Sequence, residues 1–343
     1  MQVHGGDIYN NNVTLDFSAN INPFGMPESV MEAAIQGVKQ STHYPNISCD
    51  ALREAIALKE NVKKEEIICG NGAAELIFSL VYALKPKKAM IVAPSFLEYE
   101  QALRAGGCAV KEHVLCKEEG FELTSRILSE LDESIDLMFL CNPNNPTGFV
   151  IQPQLLDQII EECKKHDILL VLDECFQNFL QKEDQDSRSK KIAECKNLFI
   201  LKAFTKMYGM AGLRLGYGLS SNQELLDQMR VVVQPWNVSI PAQMAGIAAC
   251  KEVEFEQNSR EYIQVQREYL RNELKKLGLS VYQSKANYIF FEGPNGLYEK
   301  CLKERFLIRS CSNYKGLGDT FYRIAVKSKE ENEAFIGILK KIL

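Results

Sequence analysis

The sequence predicts an α/β protein: a large domain with a mostly parallel central sheet covered by helices, followed by a smaller α+β domain. Three observations carry this expectation. The chain has 343 residues, enough for about two domains and a substantial buried core. From about residue 66 onward, short apolar strands alternate with helical stretches. The strands at 136–141, 168–173 and 198–201 are apolar runs, as a parallel sheet covered on both faces requires.

Taken in order, residues 1–27 are rich in Asn, Pro and Gly around 16–25 and read as an ordered arm or loop. Composition alone equally allows His4-Gly5-Gly6 to be a frayed terminus. A helix is expected from Glu28 to about Lys39, and a second from about Cys49 to Lys59 with Ser48 as its N-cap. A strand at 66–69 then runs into Gly70-Asn71-Gly72-Ala73-Ala74-Glu75, a glycine turn opening a helix whose first amides form an anion cradle. A dinucleotide fingerprint needs a third glycine where Glu75 stands, and no Gly-Lys-Ser/Thr occurs, so nicotinamide and P-loop sites are disfavoured.

The alternation continues with a strand at 89–93, a loop at 94–99, a helix to about Ala105 and a strand at 109–115. The 136–141 strand exits into Asn142-Pro143-Asn144-Asn145-Pro146-Thr147-Gly148, a stiff turn whose amides can face a ligand or serve as a plain connector. The next strand ends in Asp173-Glu174, like the acidic end of a Walker B strand but without its Walker A partner. Function in such sheets sits at the strands' carboxyl ends. Beyond Leu219 come a helix from about Asn222, a turn at 235–237, a helix from near Pro241 and a long charged helix over 252–277 suited to bridging two lobes. Strands near 280–282, 288–291, 306–309 and 321–326, with helices near 296–304 and 329–342, complete the smaller lobe. The expected division is an arm and first helix at 1–40 joining the small domain, a large domain at 41–250 and a small C-terminal domain at 251–343.

Composition excludes several classes. The net charge is −5, and no basic run or aromatic-interleaved patch stands out, so nucleic acid is not an expected partner. No apolar stretch reaches about 18 residues, and the first residues lack a signal peptide's charged and apolar regions, so a cytoplasmic protein with no membrane contact is expected. Eleven cysteines without a C-x-x-C pair fit neither a disulfide framework nor a zinc site. No metal is expected, and most of the thiols read as small buried hydrophobes.

The chemistry concentrates in 200–218, where a strand end is followed by Thr205-Lys206, small residues and Arg214. A lysine just past an apolar strand is partly desolvated, which lowers its pKa and frees the amine to attack a carbonyl. Thr205 and Arg214 would bracket a phosphate. The bland alternative is a surface lysine after a strand.

The Thr-Lys-x7-Arg spacing with Gly212-Leu213-Arg214-Leu215-Gly216-Tyr217 resembles the lysine segment of fold type I pyridoxal-phosphate (PLP) enzymes, the aspartate aminotransferase superfamily. Motifs matching the family follow in its order over nearly the whole chain. The resemblance implies the fold type I architecture, PLP as cofactor and a homodimer. It makes Lys206 the Schiff-base lysine, Asp173 the partner of the pyridine nitrogen, Asn145 the donor to the ring hydroxyl and Phe96 the stacking ring. Gly72, Ala73, Thr205 and Arg214 would hold the phosphate. Tyr44, in Tyr44-Pro45, would reach the neighbouring subunit's phosphate.

Within that superfamily the patterns resemble histidinol-phosphate aminotransferases and threonine-phosphate decarboxylases. His4-Gly5-Gly6 with 16–23, the segment 309–317 with 322–326, and Phe176 where aminotransferases usually carry a tyrosine all resemble the decarboxylases. That resemblance implies a lyase acting on a phosphorylated amino acid, most simply L-threonine O-3-phosphate, in cobalamin synthesis. Arg323 would bind the substrate carboxylate, while Arg309 and His4 would hold its phosphate or serve simple surface and ion-pair duty. The alternatives are an aminotransferase on histidinol phosphate, or a non-catalytic binding protein on the same fold. One departure stands out: Ala203 occupies a position that usually carries Ser or Thr toward the cofactor phosphate, removing a hydrogen bond worth about 0.5–1.5 kcal/mol.

Overall fold

A computed structural model describes residues 4–185 and 187–343. In chain order its elements are β1 (Leu15–Asp16), α1 (Glu28–Lys39), α2 (Asp50–Glu60), β2 (Ile67–Gly70), α3 (Ala73–Leu84), β3 (Lys88–Ala93), α4 (Leu97–Ala105), β4 (Ala109–Val114) and β5 (Leu137–Cys141). Then come α5 (Pro153–Lys165), β6 (Leu169–Asp173), β7 (Leu198–Ala203), β8 (Gly216–Leu219), α6 (Gln223–Val232), α7 (Ile240–Ala249) and α8 (Val253–Lys276). The chain ends with β9 (Ser280–Val281), β10 (Tyr288–Glu292), α9 (Leu297–Lys303), β11 (Phe306–Leu307), β12 (Arg309–Ser310), β13 (Phe321–Ala325) and α10 (Lys329–Ile342).

Seven strands form the central sheet in the order β2-β8-β7-β6-β5-β3-β4. All neighbours pair in parallel except β8, which runs antiparallel to both β2 and β7. The inner strands β5 and β7 are buried almost end to end because helices cover both faces, which explains their unbroken apolar sequences. Side chains alternate between two apolar clusters: Met138, Leu140, Leu170 and Ile200 face one, and Leu137, Phe139, Val171 and Leu201 face the other.

The smaller lobe is a four-stranded antiparallel sheet, β12-β13-β10-β9, against which α8 packs, with α9 beside β11 and α10 lying on α8 and α9. The arm joins it through β1, which pairs in parallel with β11. Phe17 then stacks on Phe335 at 4.6 Å and is fully buried. Its carbonyl accepts a hydrogen bond from the Ala325 amide at 2.7 Å. Asn22, also buried, donates to the Met207 carbonyl and to Ser259 of α8, tying the arm to the lysine loop. The first helix packs on α7, where the absence of a side chain at Gly37 admits Pro241: a Cβ would lie 2.6 Å from its Cα.

Several expectations change. Ser48 does not cap α2: Cys49 stands at the N-cap in the left-handed region, φ 52°, and the Asn46 carboxamide accepts from the Ser48 and Asp50 amides instead. The strand expected over 306–309 divides into β11 and β12, which belong to different sheets. Helix α5 and strands β1 and β8 were not anticipated. Among the described residues, no helix is long and apolar enough to cross a membrane, and no three His, Cys, Asp or Glu side chains gather as a metal site.

Candidate active site

Strands β5, β6 and β7 deliver Asn145, Asp173 and Lys206 to the same edge of the sheet, in the loop after the strand or at its last residue. There the small lobe meets the large one around a cavity of about 340 Å³. Lys206 lies three residues past β7, and its amine has no hydrogen-bond partner among the described residues. Burial, reinforced by the charges of Arg323 and Arg214, pulls its pKa down to about 8. This is the desolvated amine that the sequence suggested.

Asp173 closes β6. Its Oδ2 accepts from the Tyr99 hydroxyl at 2.5 Å and its Oδ1 from the Cys175 amide at 2.9 Å. Burial pushes the carboxyl up while those hydrogen bonds oppose the shift. Tyr99 is itself fixed by stacking on Phe139, ring centroids 4.8 Å apart. Phe96 stands immediately before α4 and forms part of the cavity wall.

An anion cup lies beside Lys206. Helix α3 begins after Gly72 with no side-chain cap, leaving its first amides available. Gly72 has φ +82°, and a Cβ there would fall 2.5 Å from the Arg214 guanidinium. Arg214 itself sits at φ 58°, a conformation rare for a side-chain-bearing residue, which brings its guanidinium over the glycine. Ala73, Thr205 and Ala203 complete this corner. These residues fit PLP: a helix-end cradle kept open by glycine, an unpartnered amine, a buried carboxylate and an aromatic wall.

The small lobe contributes Arg323 from β13 and Arg309 from β12, both buried. Arg323 donates to the Asn145 side chain and, at 2.8 Å, to the Ser18 carbonyl, and lies 5.5 Å from the Tyr288 ring centroid. Its Nε is buried without a partner among the described residues. Arg309 donates to Asn313 at 2.8 Å and packs over Tyr314. His4 lies at the mouth, its Nδ1 3.4 Å from Glu98 Oε1, so the arm's first described residue is part of the site. Phe176 is buried on the floor, edge-on to Tyr288.

Tyr44 stands apart. It is 78% exposed, stacks on Trp236 at 4.5 Å and does not line the cavity of its own chain. The sequence reading missed Tyr99, Glu98 and Tyr314. Tyr99 and Glu98 follow Phe96 by one helical turn or less, so recognising α4's first turn as part of the site would have found both.

Comparison with known proteins agrees with this geometry. The family model for aminotransferase class I and II matches residues 12–339. A threonine-phosphate decarboxylase of Salmonella typhimurium is 37% identical over 96% of this chain and 91% of its own. A histidinol-phosphate aminotransferase of Moorella thermoacetica is 32% identical over 96% and 85%. The crystal structure of the histidinol-phosphate aminotransferase from Clostridium acetobutylicum superposes with a TM-score of 0.89 at 31% identity, covering 96% of this chain and 98% of that one. That of L-threonine-O-3-phosphate decarboxylase from Porphyromonas gingivalis, at 24% identity and a TM-score of 0.83, shares the fold over 95% of this chain and 98% of that one. The chain therefore belongs to the class I and II aminotransferase family, as a PLP-dependent enzyme of fold type I.

Proposed function

We propose that this enzyme decarboxylates a phosphorylated amino acid, L-threonine O-3-phosphate, to (R)-1-amino-2-propanol O-2-phosphate. The observation that supports the reading is a second set of anion-binding side chains in the cavity. Arg214 and the α3 amides would serve one phosphate, while Arg323 and Arg309 from the small lobe, with His4 of the arm, line the same cavity for a substrate with two further anionic groups. The similarity to a threonine-phosphate decarboxylase at 37% identity supports the same substrate. The enzyme would act in the cytoplasm and supply an amino alcohol phosphate for cobalamin synthesis.

When bound, PLP supplies an electron sink for the pair released as the Cα–carboxyl bond breaks. The protein's residues do the rest. Lys206 would hold the cofactor through its amine. Asp173, oriented by Tyr99 and the Cys175 amide, would keep the ring nitrogen protonated, Asn145 would hydrogen-bond the ring hydroxyl and Phe96 would cover the ring. Gly72, Ala73, Thr205 and Arg214 would hold the cofactor phosphate. Arg323 grips the carboxylate as a planar fork, and Arg309 with His4 binds the substrate phosphate. Two fixed handles set the rotation about the Cα–N bond, and so select which bond breaks. Carbon dioxide leaves, and Cα gains a proton.

A second reading, an aminotransferase acting on histidinol phosphate, draws support from the 31% identical structural relative. Incubating the purified protein and PLP with threonine phosphate separates them. Carbon dioxide and the amino alcohol phosphate are expected in equal amounts without a keto acid. Amino-group transfer from histidinol phosphate to 2-oxoglutarate, with no carbon dioxide from threonine phosphate, would overturn the proposal.

A further inference from the structure

Glu98 is the one acid of the cavity that the reading above leaves without a task. It stands in the first turn of α4, two residues after Phe96, and its side chain is largely buried. Its two oxygens have different surroundings. Oε1 lies 3.4 Å from His4 Nδ1, whereas Oε2 is fully buried and has no hydrogen-bond partner among the described residues. A buried carboxylate oxygen left unpaired costs about 1–3 kcal/mol or more, so a cavity that keeps one is organised for a donor that arrives with the ligand. His4 on the other side has nearly half of its side chain in solvent. Glu98 thus connects the interior of the cavity to the outside through a single imidazole.

An amino-acid substrate brings one strong donor, its ammonium group. That group must lose a proton before its nitrogen has a lone pair with which to react. We propose that Glu98 is the base that accepts this proton at Oε2, and that His4 carries it to solvent. The ammonium N–H pair stays on nitrogen as the lone pair, the proton moves to Oε2, a half-turn of the carboxyl brings that oxygen to His4, the neutral ring takes the proton at Nδ1, and the imidazolium releases one to water from Nε2. No other reactant is needed.

The electrostatics agree with that task. The charged groups acting on Glu98 are His4 from the arm, Arg309 from β12 and Lys206 from the lysine loop, all cationic when protonated. They favour the carboxylate, yet burial outweighs them and moves its pKa upward, toward the range in which a carboxyl both takes and returns a proton. Lys206 in turn feels the Glu98 charge, so the two groups face the same space.

The inference rests on the reading that an amine substrate enters this cavity, and it holds for either phosphorylated substrate. Amine capture is followed by stopped-flow absorbance of the PLP-loaded enzyme with threonine phosphate and, separately, with histidinol phosphate. A wild-type enzyme that captures either one gives the test, whichever reaction follows. Glu98→Gln keeps the shape and is expected to slow capture at pH 7 by about a hundredfold or more, the lower end of what losing a general base costs. Its rate should keep climbing into the alkaline range, where substrate arrives as free amine, whereas the wild-type rate levels off once Glu98 is ionised. Glu98→Asp should retain the wild-type profile at a reduced rate, and serves alone if the amide variant fails to bind PLP. Independently of the cofactor, the Glu98 carboxyl of the apoprotein should ionise above the ordinary glutamate range, read as the infrared carboxyl band that disappears in Glu98→Gln, because burial disfavours its charged form. Capture by Glu98→Gln within twofold of wild type with the same pH profile, or by Glu98→Asp with the amine-limited profile, would overturn the proposal and leave Glu98 as an ion-pair partner of His4. Capture by His4→Ala at the wild-type rate and with the wild-type pH profile would remove His4 from the relay.

Discussion

At the scale of single residues, Lys206 is expensive to the fold and useful to the chemistry. Its pKa is lowered from 10.5 to about 8, mainly by burial, so the folded apoprotein resists the charged form that the unfolded chain accepts freely. Between about pH 8 and 10.5 the unfolded state binds more protons at this site than the folded one, so this lysine's contribution to stability rises with pH through that window. Below about pH 8 both states are protonated and the cost is present in full. Lys206→Met should therefore melt at a higher temperature than wild type as apoprotein at pH 7, and the gap should narrow by pH 10. Thermal denaturation at the two pH values checks this, and an equal or lower melting temperature at pH 7 would mean the amine is well accommodated as a cation. The same variant should hold no borohydride-fixed cofactor. Lys206 was legible in sequence because a strand end, a threonine and an arginine at fixed spacing reveal both burial and anion binding. Glu98 was legible only by its place in the first turn of α4 beside Phe96, because nothing in Leu97-Glu98-Tyr99 says that one carboxylate oxygen is buried without a partner.

At the scale of elements, the wholly apolar strands were readable and the others were not. β8 is Gly216-Tyr217-Gly218-Leu219, poor in strand formers because its neighbours take the space: a Cβ at Gly218 would meet the Phe199 ring at 2.1 Å, and one at Gly216 the Ala73 amide at 2.5 Å. Glycine here marks close approach and not a turn, and only the tertiary packing distinguishes the two. Helix α5 is strongly amphipathic, with Leu155, Leu156, Ile159, Ile160 and Cys163 buried, and its periodicity was present in the sequence to be read. The glycine turn between β2 and α3 has the most direct consequence for function. Gly72 combines φ +82° with the Arg214 guanidinium close above it, so Gly72→Ala pays backbone strain of about 1–3 kcal/mol and displaces the arginine. The expected result is weaker PLP binding, about tenfold or more, with little change in the far-ultraviolet circular dichroism of the apoprotein. Fluorescence titration with PLP measures it, and an unchanged affinity would mean that the cofactor phosphate does not use this turn.

At the scale of the whole molecule, the single chain leaves one expected site residue on an exposed surface with apolar company. Tyr44 and its stacking partner Trp236 are exposed, as are Ile47 on the same loop and Met31, Ile35 and Val38 on α1. The three α1 residues recur at spacings of four and three, one stripe set about 100° around the helix from its buried Val30, Ala34 and Gly37. Such a surface suits a second copy of the chain, and a twofold pairing would let each Tyr44 serve its neighbour's phosphate cup. Two damaged chains should then repair one another. Tyr44→Ala removes the residue given to the partner, and Lys206→Ala the residue kept at home. In a mixed dimer one site lacks both while the other has both intact, so random mixing should restore up to about a quarter of wild-type activity. The check is activity after co-refolding the two variants in equal amounts, with sedimentation establishing the dimer. A monomer in sedimentation, or a mixture no more active than the Tyr44→Ala protein it contains, would show that each chain completes its own site and that this apolar face has another use.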